Sequence, residues 1–161
     1  DFGRTLMRQF LFDAFQVPWL QALSNSSDSR VAEIAAKSLK EALYHLDRST
    51  DMVIALGDGT DDSNARMQAA LVYLWPYAAE VFADDETDAA MAETGVAPLP
   101  SSIRPDWQQT VSSTLTEANL IQPDSDFAHK GGRNGFRHTE HLGHMLAAMQ
   151  ILPRSHPGAV W

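Results

Sequence analysis

A glutamate and a histidine stand four residues apart in an apolar stretch of the chain, as Glu41 and His45. Residues at this spacing share one face of an α-helix. Di-metal sites in the core of four-helix bundles use a shorter spacing, Glu-x-x-His, on each of two helices. Here Ala42 occupies the position three residues before His45, and Glu41 points about 100° away from the required direction. We therefore expect a Glu–His pair or an inward histidine, and Glu41 and His45 are no more than vestigial metal candidates.

Asp13 is the third candidate ligand, a lone carboxylate inside an apolar helix. In an ideal helical hairpin that turns near Ser26, Asp13 would lie about six residues, roughly 9 Å, short of the level of His45. A kink at Pro18 could change this distance. We expect Asp13 to be buried and paired with an arginine or with His45. The sequence therefore indicates no confident metal ligand and no catalytic residue.

A basic, glycine-rich segment at residues 130–138 contrasts with the acidic balance of the chain. Its cationic side chains are Lys130, Arg133, Arg137 and His138. The segment leads into a predicted helix N-terminus, which is a natural site for an anion. It could contact the phosphates of a nucleotide-bearing substrate, but we expect a solvated loop or a protein-docking loop.

Two further patterns resemble metal sites. His138, His141 and His144 stand three residues apart and could form a surface site, but a helix start capped by Thr139 explains the segment better. Residues 57–63 resemble a calcium loop yet lack its ligand spacing and its closing glutamate. The second segment predicts the end of one helix, a turn and the cap of the next.

Helical periodicity dominates the chain and predicts an all-α fold. The predicted helices span residues 2–23, 28–56, 61–82, 85–94, 106–120 and 139–152. Segments 96–105 and 123–135 are predicted to be loops because of their prolines, glycines and charges. Pro153 is expected to end the last helix.

Several apolar surfaces are expected to need a cover. The first two helices form an antiparallel pair, half of a four-helix bundle, and a half bundle leaves large apolar faces bare. These faces need either upstream bundle helices or a partner. Since the chain enters an apolar helix directly after Asp1, we expect that upstream helices precede these residues. The last helix carries its own apolar stripe at core spacing: Leu142, Met145, Leu146 and Met149.

Composition excludes several classes of protein. The net charge of -9 argues against a nucleic-acid binder, whose surface is basic. The lack of cysteine excludes disulfides and thiolate chemistry and fits a reducing cytosol. The most apolar stretch, residues 10–23, is too short to span a membrane. We expect a cytoplasmic protein that binds neither nucleic acid nor membrane.

Five segments together resemble the PaaA/PaaC family of ferritin-like subunits of phenylacetyl-CoA 1,2-epoxidase, and within it the C subunit, PaaC. They are residues 40–46, 56–60, 71–80, 130–143 and 157–161. The resemblance covers essentially the whole chain. It implies a single domain over residues 1–161: a ferritin-like four-helix bundle with extra C-terminal helices, whose N-terminal bundle helices are missing here.

The resemblance also implies a function. Such a complex adds one oxygen atom of O2 across the aromatic ring of phenylacetyl-CoA during phenylacetate breakdown. Its A subunit holds the di-iron centre, and a reductase that uses NADPH and small accessory subunits complete it. This chain would then be a structural subunit without a cofactor, in a homo- or hetero-oligomer. The alternatives are an autonomous ferritin-like di-metal oxidoreductase and a helical protein-interaction module.

Overall fold

The computed structural model describes residues 1–124, 128–133, 135 and 137–160, and within these residues all regular structure is helical. The α-helices are α1 (Phe2–Leu23), α2 (Ser29–Gly57), α3 (Asp61–Ala78), α4 (Glu86–Glu93), α5 (Arg104–Glu117), α6 (Glu140–Met149) and α7 (Ile151–Ser155). Short 3-10 turns at Ala79–Phe82 and Pro100–Ile103 follow α3 and precede α5. The all-α prediction is therefore confirmed.

Side-chain caps explain where the central helices begin. The carboxylate of Asp28 accepts hydrogen bonds from the first free amides of α2. Thr60 and Ser63 form a reciprocal capping box at α3, and Asp85 and Asp88 form another at α4. Each cap satisfies backbone N–H groups that have no partner within the helix. These local bonds place the helix starts within one residue of the predicted positions.

Proline positions account for three differences from the predicted boundaries. The segment predicted as a loop at 96–105 contains a 3-10 turn, and α5 begins early because Pro105 fits the first turn of a helix. The third predicted helix contains Pro76 and ends with the 3-10 turn instead of α-helix. Pro153 was expected to end the last helix but lies inside α7, where a helix start tolerates it.

One hydrophobic core lies between α1, α2, α3 and α5, and the α1–α2 contact is the most extensive. The fully buried apolar side chains at its centre are Met7, Phe10, Val53, Met67, Leu71, Val111 and Leu115. Trp107 joins α5 to α1, because its buried indole N–H donates to the Leu11 carbonyl at 2.9 Å. Phe82 packs edge-on against Trp107, with ring centroids 5.2 Å apart. Aromatic packing thus closes the core where α3 ends.

Asp13 lies fully buried between α1 and α2. Its Oδ1 accepts a hydrogen bond from Gln9 Nε2 at 2.6 Å, and its Oδ2 accepts one from Ser49 Oγ at 2.9 Å. Arg8 in turn donates to Gln9 Oε1 at 2.8 Å. The Gln9 amide therefore links the buried carboxylate to an exposed guanidinium. The predicted partners, an arginine or His45, were wrong, because both carboxylate oxygens are occupied by neutral donors.

The position of Asp13 along α2 also differs from the position expected in an ideal helical hairpin. Ser49 lies about ten residues, roughly 15 Å, further along α2 than a symmetric turn at Ser26 would put it. The connection between the helices does not fold tightly on itself. Instead Ser26 Oγ donates to the Val96 carbonyl at 2.6 Å, and the Ser27 amide donates to the Gly95 carbonyl at 3.0 Å. These bonds hold the connection between α1 and α2 against the turn after α4.

The apolar stripe of the last helix is present but is not buried. Leu142 is half-buried, whereas Met145, Leu146 and Met149 are exposed. Among the helices of the described residues, α6 makes its main contact with α7. Core spacing in the sequence of this helix therefore does not correspond to burial in the described part of the chain.

Replacing Leu46 with Asp should destabilise the chain. Leu46 packs against the core cluster, so the variant would bring an unpaired charge to the edge of that core. We expect the free energy of unfolding to fall by about 2–4 kcal/mol, measured by urea denaturation followed by circular dichroism. Ile34→Asp, an exposed position on the same helix, is the control. Equal unfolding midpoints for the two variants would contradict this placement.

Replacing Ser49 with Ala should also destabilise the chain, because Asp13 would lose the one of its two donors whose hydrogen bond is fully buried. Hydrogen bonds to charged groups contribute about 1.5–3 kcal/mol, and we expect a loss in that range. Ser38→Ala on the same helix serves as the matched control. A loss no larger than that of Ser38→Ala would show that the bond to Asp13 contributes nothing measurable.

Candidate functional site

The Glu41 and His45 side chains are both exposed, whereas Ala42 between them is 3% exposed. The buried line of α2 therefore presents a methyl group where a bundle-core metal site needs a carboxylate. His45 lies about 60° round the helix from Ala42, and its ring contacts Tyr44 at a centroid distance of 5.8 Å. Of the two expected arrangements, a Glu–His pair or an inward histidine, the inward histidine was wrong, because the His45 side chain is exposed.

The structure does not bring the three metal candidates together. Asp13 is buried and its oxygens accept from Gln9 and Ser49, whereas Glu41 and His45 face outward. Across residues 1–124, 128–133, 135 and 137–160, no three His, Asp or Glu side chains are grouped so that they could hold a metal ion. The three candidates Asp13, Glu41 and His45 therefore do not form one set of ligands in this part of the chain.

The glycine-rich loop is attached to the body of the protein by Arg133. The guanidinium forms a bidentate pair with Asp88 of α4, at 2.8 and 2.9 Å, and also donates to the Ala83 carbonyl. Hydrogen bonding from Arg133 lowers the pKa of the Asp88 carboxyl below its usual 3.8. Because the pKa of Asp88 is lowered in the folded state, the pair stabilises the fold at pH values above the usual pKa. This stabilisation is lost only as the pH falls through the lowered pKa. The attachment therefore persists at neutral pH.

Two more contacts hold the same segment against the end of α3. The amide of Gly132 donates to the carboxylate of Glu80. The amide of His129 donates to the Pro76 carbonyl at 2.7 Å, and its ring stacks on Tyr77 with centroids 4.9 Å apart. The predicted solvated or docking loop is thus fixed along one side by the chain itself.

A cleft of about 390 Å³ opens between the end of α3, this loop and the start of α6. Its walls include Tyr77, Glu80, His129, Arg137, His138, Leu142 and Met145. The four predicted cationic residues therefore divide: Arg133 is engaged internally, Arg137 and His138 face the cleft, and Lys130 is exposed. Asn134 and Phe136 of the same loop lie outside the described residues.

Sequence reasoning missed Tyr77, Glu80 and His129, which form the wall of this cleft. No local pattern marks them, since the wall arises from a contact between segments about 50 residues apart. The sequence did contain a signal for the pair of Arg133 and Asp88, because it has both an acidic predicted helix and a basic loop. The remaining surface metal candidates, His138, His141 and His144, are exposed and do not converge.

In the described part of the chain, no helix is both long and apolar enough to cross a membrane. The chain matches over residues 1–161 the family model described as phenylacetic acid catabolic protein. It is also 43% identical over 161 residues to the C subunit of 1,2-phenylacetyl-CoA epoxidase from Escherichia coli (strain K12). That alignment covers 100% of this chain and 64% of the relative, so the chain spans less than two thirds of the relative's length. The resemblance predicted from the sequence motifs is confirmed, and the chain belongs to the phenylacetic acid catabolic protein family.

Proposed function

We propose that this chain is a structural, non-catalytic subunit of a phenylacetyl-CoA 1,2-epoxidase. In this proposal a partner A subunit holds the di-iron centre and inserts one oxygen atom of O2 into the aromatic ring. A reductase supplies electrons from NADPH, and this chain supports the fold of the A subunit. The similarity to a protein named as the C subunit of such an enzyme supports membership in the complex.

The observation that carries the structural role is the inward position of Ala42. A catalytic bundle would need a carboxylate there with a histidine three residues later on the same inner face. Here the inner position holds a methyl group and His45 faces outward. The remaining buried carboxylate, Asp13, already accepts two hydrogen bonds from neutral side chains. A support role requires none of these groups to touch a substrate.

Exposed apolar side chains are the second support for a role within an assembly. They occur on α1, α2, α3 and α6, and include Phe12, Ile34, Tyr44, Tyr73, Met145 and Met149. Contiguous apolar surface of this kind marks places where other helices pack, whether they belong to upstream residues of the same protein or to a partner. Helical surfaces of this kind are well suited to packing against other helices in a complex.

Iron should therefore associate with the partner and not with this chain. We expect the chain expressed by itself in iron-rich medium to bind no stoichiometric iron, measured by elemental analysis, and the complex with the A subunit to bind it. His45→Ala should leave the epoxidation rate of the assembled complex unchanged, because this side chain is exposed. Stoichiometric iron with turnover by this chain alone would support the autonomous di-metal oxidoreductase instead.

The loop around the cleft gives a second prediction, in which Lys130→Ala combined with Arg137→Ala is compared with Arg133→Ala. The double variant should fold normally, since both side chains are exposed. We expect its complex with the A subunit to dissociate at lower salt than the wild type, because exposed cations act through screened attraction. Once assembled, its KM and kcat should be unchanged.

Arg133→Ala should act differently, because it removes the pair with Asp88 and frees the loop itself. We expect greater protease sensitivity of residues 128–138 in this variant, read by limited proteolysis and mass spectrometry. A raised KM for phenylacetyl-CoA with normal assembly in the double variant would instead indicate contact with the substrate's phosphates. Normal assembly together with an unaltered KM would leave a solvated loop.

A further inference from the structure

The cleft between the end of α3, the basic loop at residues 130–138 and the start of α6 has the size and the lining of a small-molecule site. Its volume of about 390 Å³ lies at the lower end of the range for ligand pockets. Most of the surface that lines it is apolar, with a few polar side chains among the apolar ones. Such a lining is typical of a site that encloses an apolar group and orients it by a few polar contacts.

An aromatic pair forms one wall of the cleft. The ring of His129 stacks on the ring of Tyr77, with centroids 4.9 Å apart and planes inclined by 28°. The amide of His129 donates to the Pro76 carbonyl at 2.7 Å, so the backbone beside this ring is held against α3. Met145 of α6 lines the same cleft. Aromatic faces and a methionine sulfur both favour a planar ring as the apolar part of a ligand.

Arg137 supplies a cation to the cleft. Its amide donates to the Gly131 carbonyl at 3.1 Å, and its side-chain carbons lie beside Gly131. Gly131 has a φ of +95°, a conformation that glycine adopts readily, so this turn fixes where Arg137 leaves the loop. In the part of the chain that the structure describes, no ion pair engages the Arg137 guanidinium. A free guanidinium can bind a carboxylate through two parallel hydrogen bonds.

The charges of the cleft limit the ligand to a single negative charge. Of the described residues that line it, Arg137 is the one Lys or Arg, whereas Glu80 lines it as well and accepts the Gly132 amide. A ligand with several phosphate charges would meet one guanidinium and would be repelled by the Glu80 carboxylate. A monocarboxylate is therefore the better match. Thr139 adds a hydroxyl, which makes no capping bond to α6.

A ligand in this position would also connect two helices. Tyr77 belongs to α3, whereas Leu142 and Met145 belong to α6. Among the helices of the described residues, α6 makes its main contact with α7 and not with α3. A ring held between these side chains would contact both α3 and α6. Its binding would therefore hold α6 against the body of the protein.

We infer that this cleft binds a small aromatic carboxylate. The ring of the ligand lies against Tyr77 and Met145, and its carboxylate pairs with Arg137. The inference goes beyond the proposed function and does not depend on it, because the site lies within this chain and takes a free acid instead of a thioester of coenzyme A.

The test measures binding of 4-fluorophenylacetate to the full-length protein by fluorine NMR titration. We expect a dissociation constant on the order of 1 mM, as for a ligand of this size with ordinary ligand efficiency. 4-Fluorophenylacetamide has the same shape without the charge and should bind roughly 10-fold more weakly. Cyclohexylacetate keeps the charge without the aromatic ring. As a competitor it should be weaker than phenylacetate by roughly 3-fold.

Variants of one arginine locate the carboxylate. Arg137→Ala should weaken binding of the acid roughly 10-fold and leave binding of the amide unchanged, which also shows that the cleft is intact. Arg137→Lys keeps the charge and should recover part of the lost affinity. Arg154→Ala removes an exposed arginine of α7 that does not line the cleft and is the matched control. Its effect should be less than about 2-fold, because distant exposed charges are screened.

Several results would overturn the inference. They are an acid that does not bind the wild-type protein, an acid and an amide that bind equally well, and equal weakening by Arg137→Ala and Arg154→Ala. Equal affinities of Arg137→Ala and Arg137→Lys for the acid would also overturn it, whatever happens to the amide. Inorganic phosphate that displaces the acid as well as phenylacetate does would assign the cleft to phosphate groups instead.

Discussion

The buried contact between Asp13 and Ser49 fixes how α1 lies along α2, and the other features of the chain depend on that register. A carboxylate inside a protein needs hydrogen-bond donors, because leaving it unpaired would cost several kcal/mol. Asp13 takes its donors from Gln9 of its own helix and from Ser49 of the neighbouring helix. A shift of α1 by one turn would leave the carboxylate without the Ser49 hydroxyl. Polar pairing thus adds specificity to a contact that apolar packing alone would leave free to slide.

The same register explains the residues of α2 that face α1. Its buried positions include Ala35, Ala42 and Ser49, which are small and repeat every seven residues. Small side chains let neighbouring segments approach α2 closely along this line. Further along α2, Val53 packs with Met7 and Phe10 of α1 in the core cluster. A metal-binding carboxylate at position 42 would need room and further ligands in this same space. Close packing and a metal site are therefore competing uses of one interface, and this chain has the residues for close packing.

Features that depend on residues close together in the sequence could be predicted, whereas those that depend on residues far apart in the sequence could not. Helix starts depend on caps such as Asp28 and Thr60, which act over three residues and can be recognised locally. The predicted level of Asp13 against α2 was wrong, because its partner Ser49 lies 36 residues away in the chain and no local pattern marks the pair. The exposure of Met145, Leu146 and Met149 in the last helix could not be predicted for a related reason. Periodicity shows that a face is apolar, but it does not show which surface covers it.

The basic loop at residues 130–138 is recognisable from its local composition, but its position depends on a contact with a distant part of the chain. Its cations predicted a solvated or protein-docking loop, yet Arg133 pairs with Asp88, which lies 45 residues away in the chain. A loop whose charges all faced solvent would be mobile, and the helix after it would have no fixed direction. By placing Arg133 against Asp88 and the Ala83 carbonyl, the chain uses one cation to orient the loop, while Lys130 and Arg137 remain exposed for other contacts. The acidic character of α4 thus has a use inside the molecule, because it attracts the basic segment and so positions the apolar face of α6.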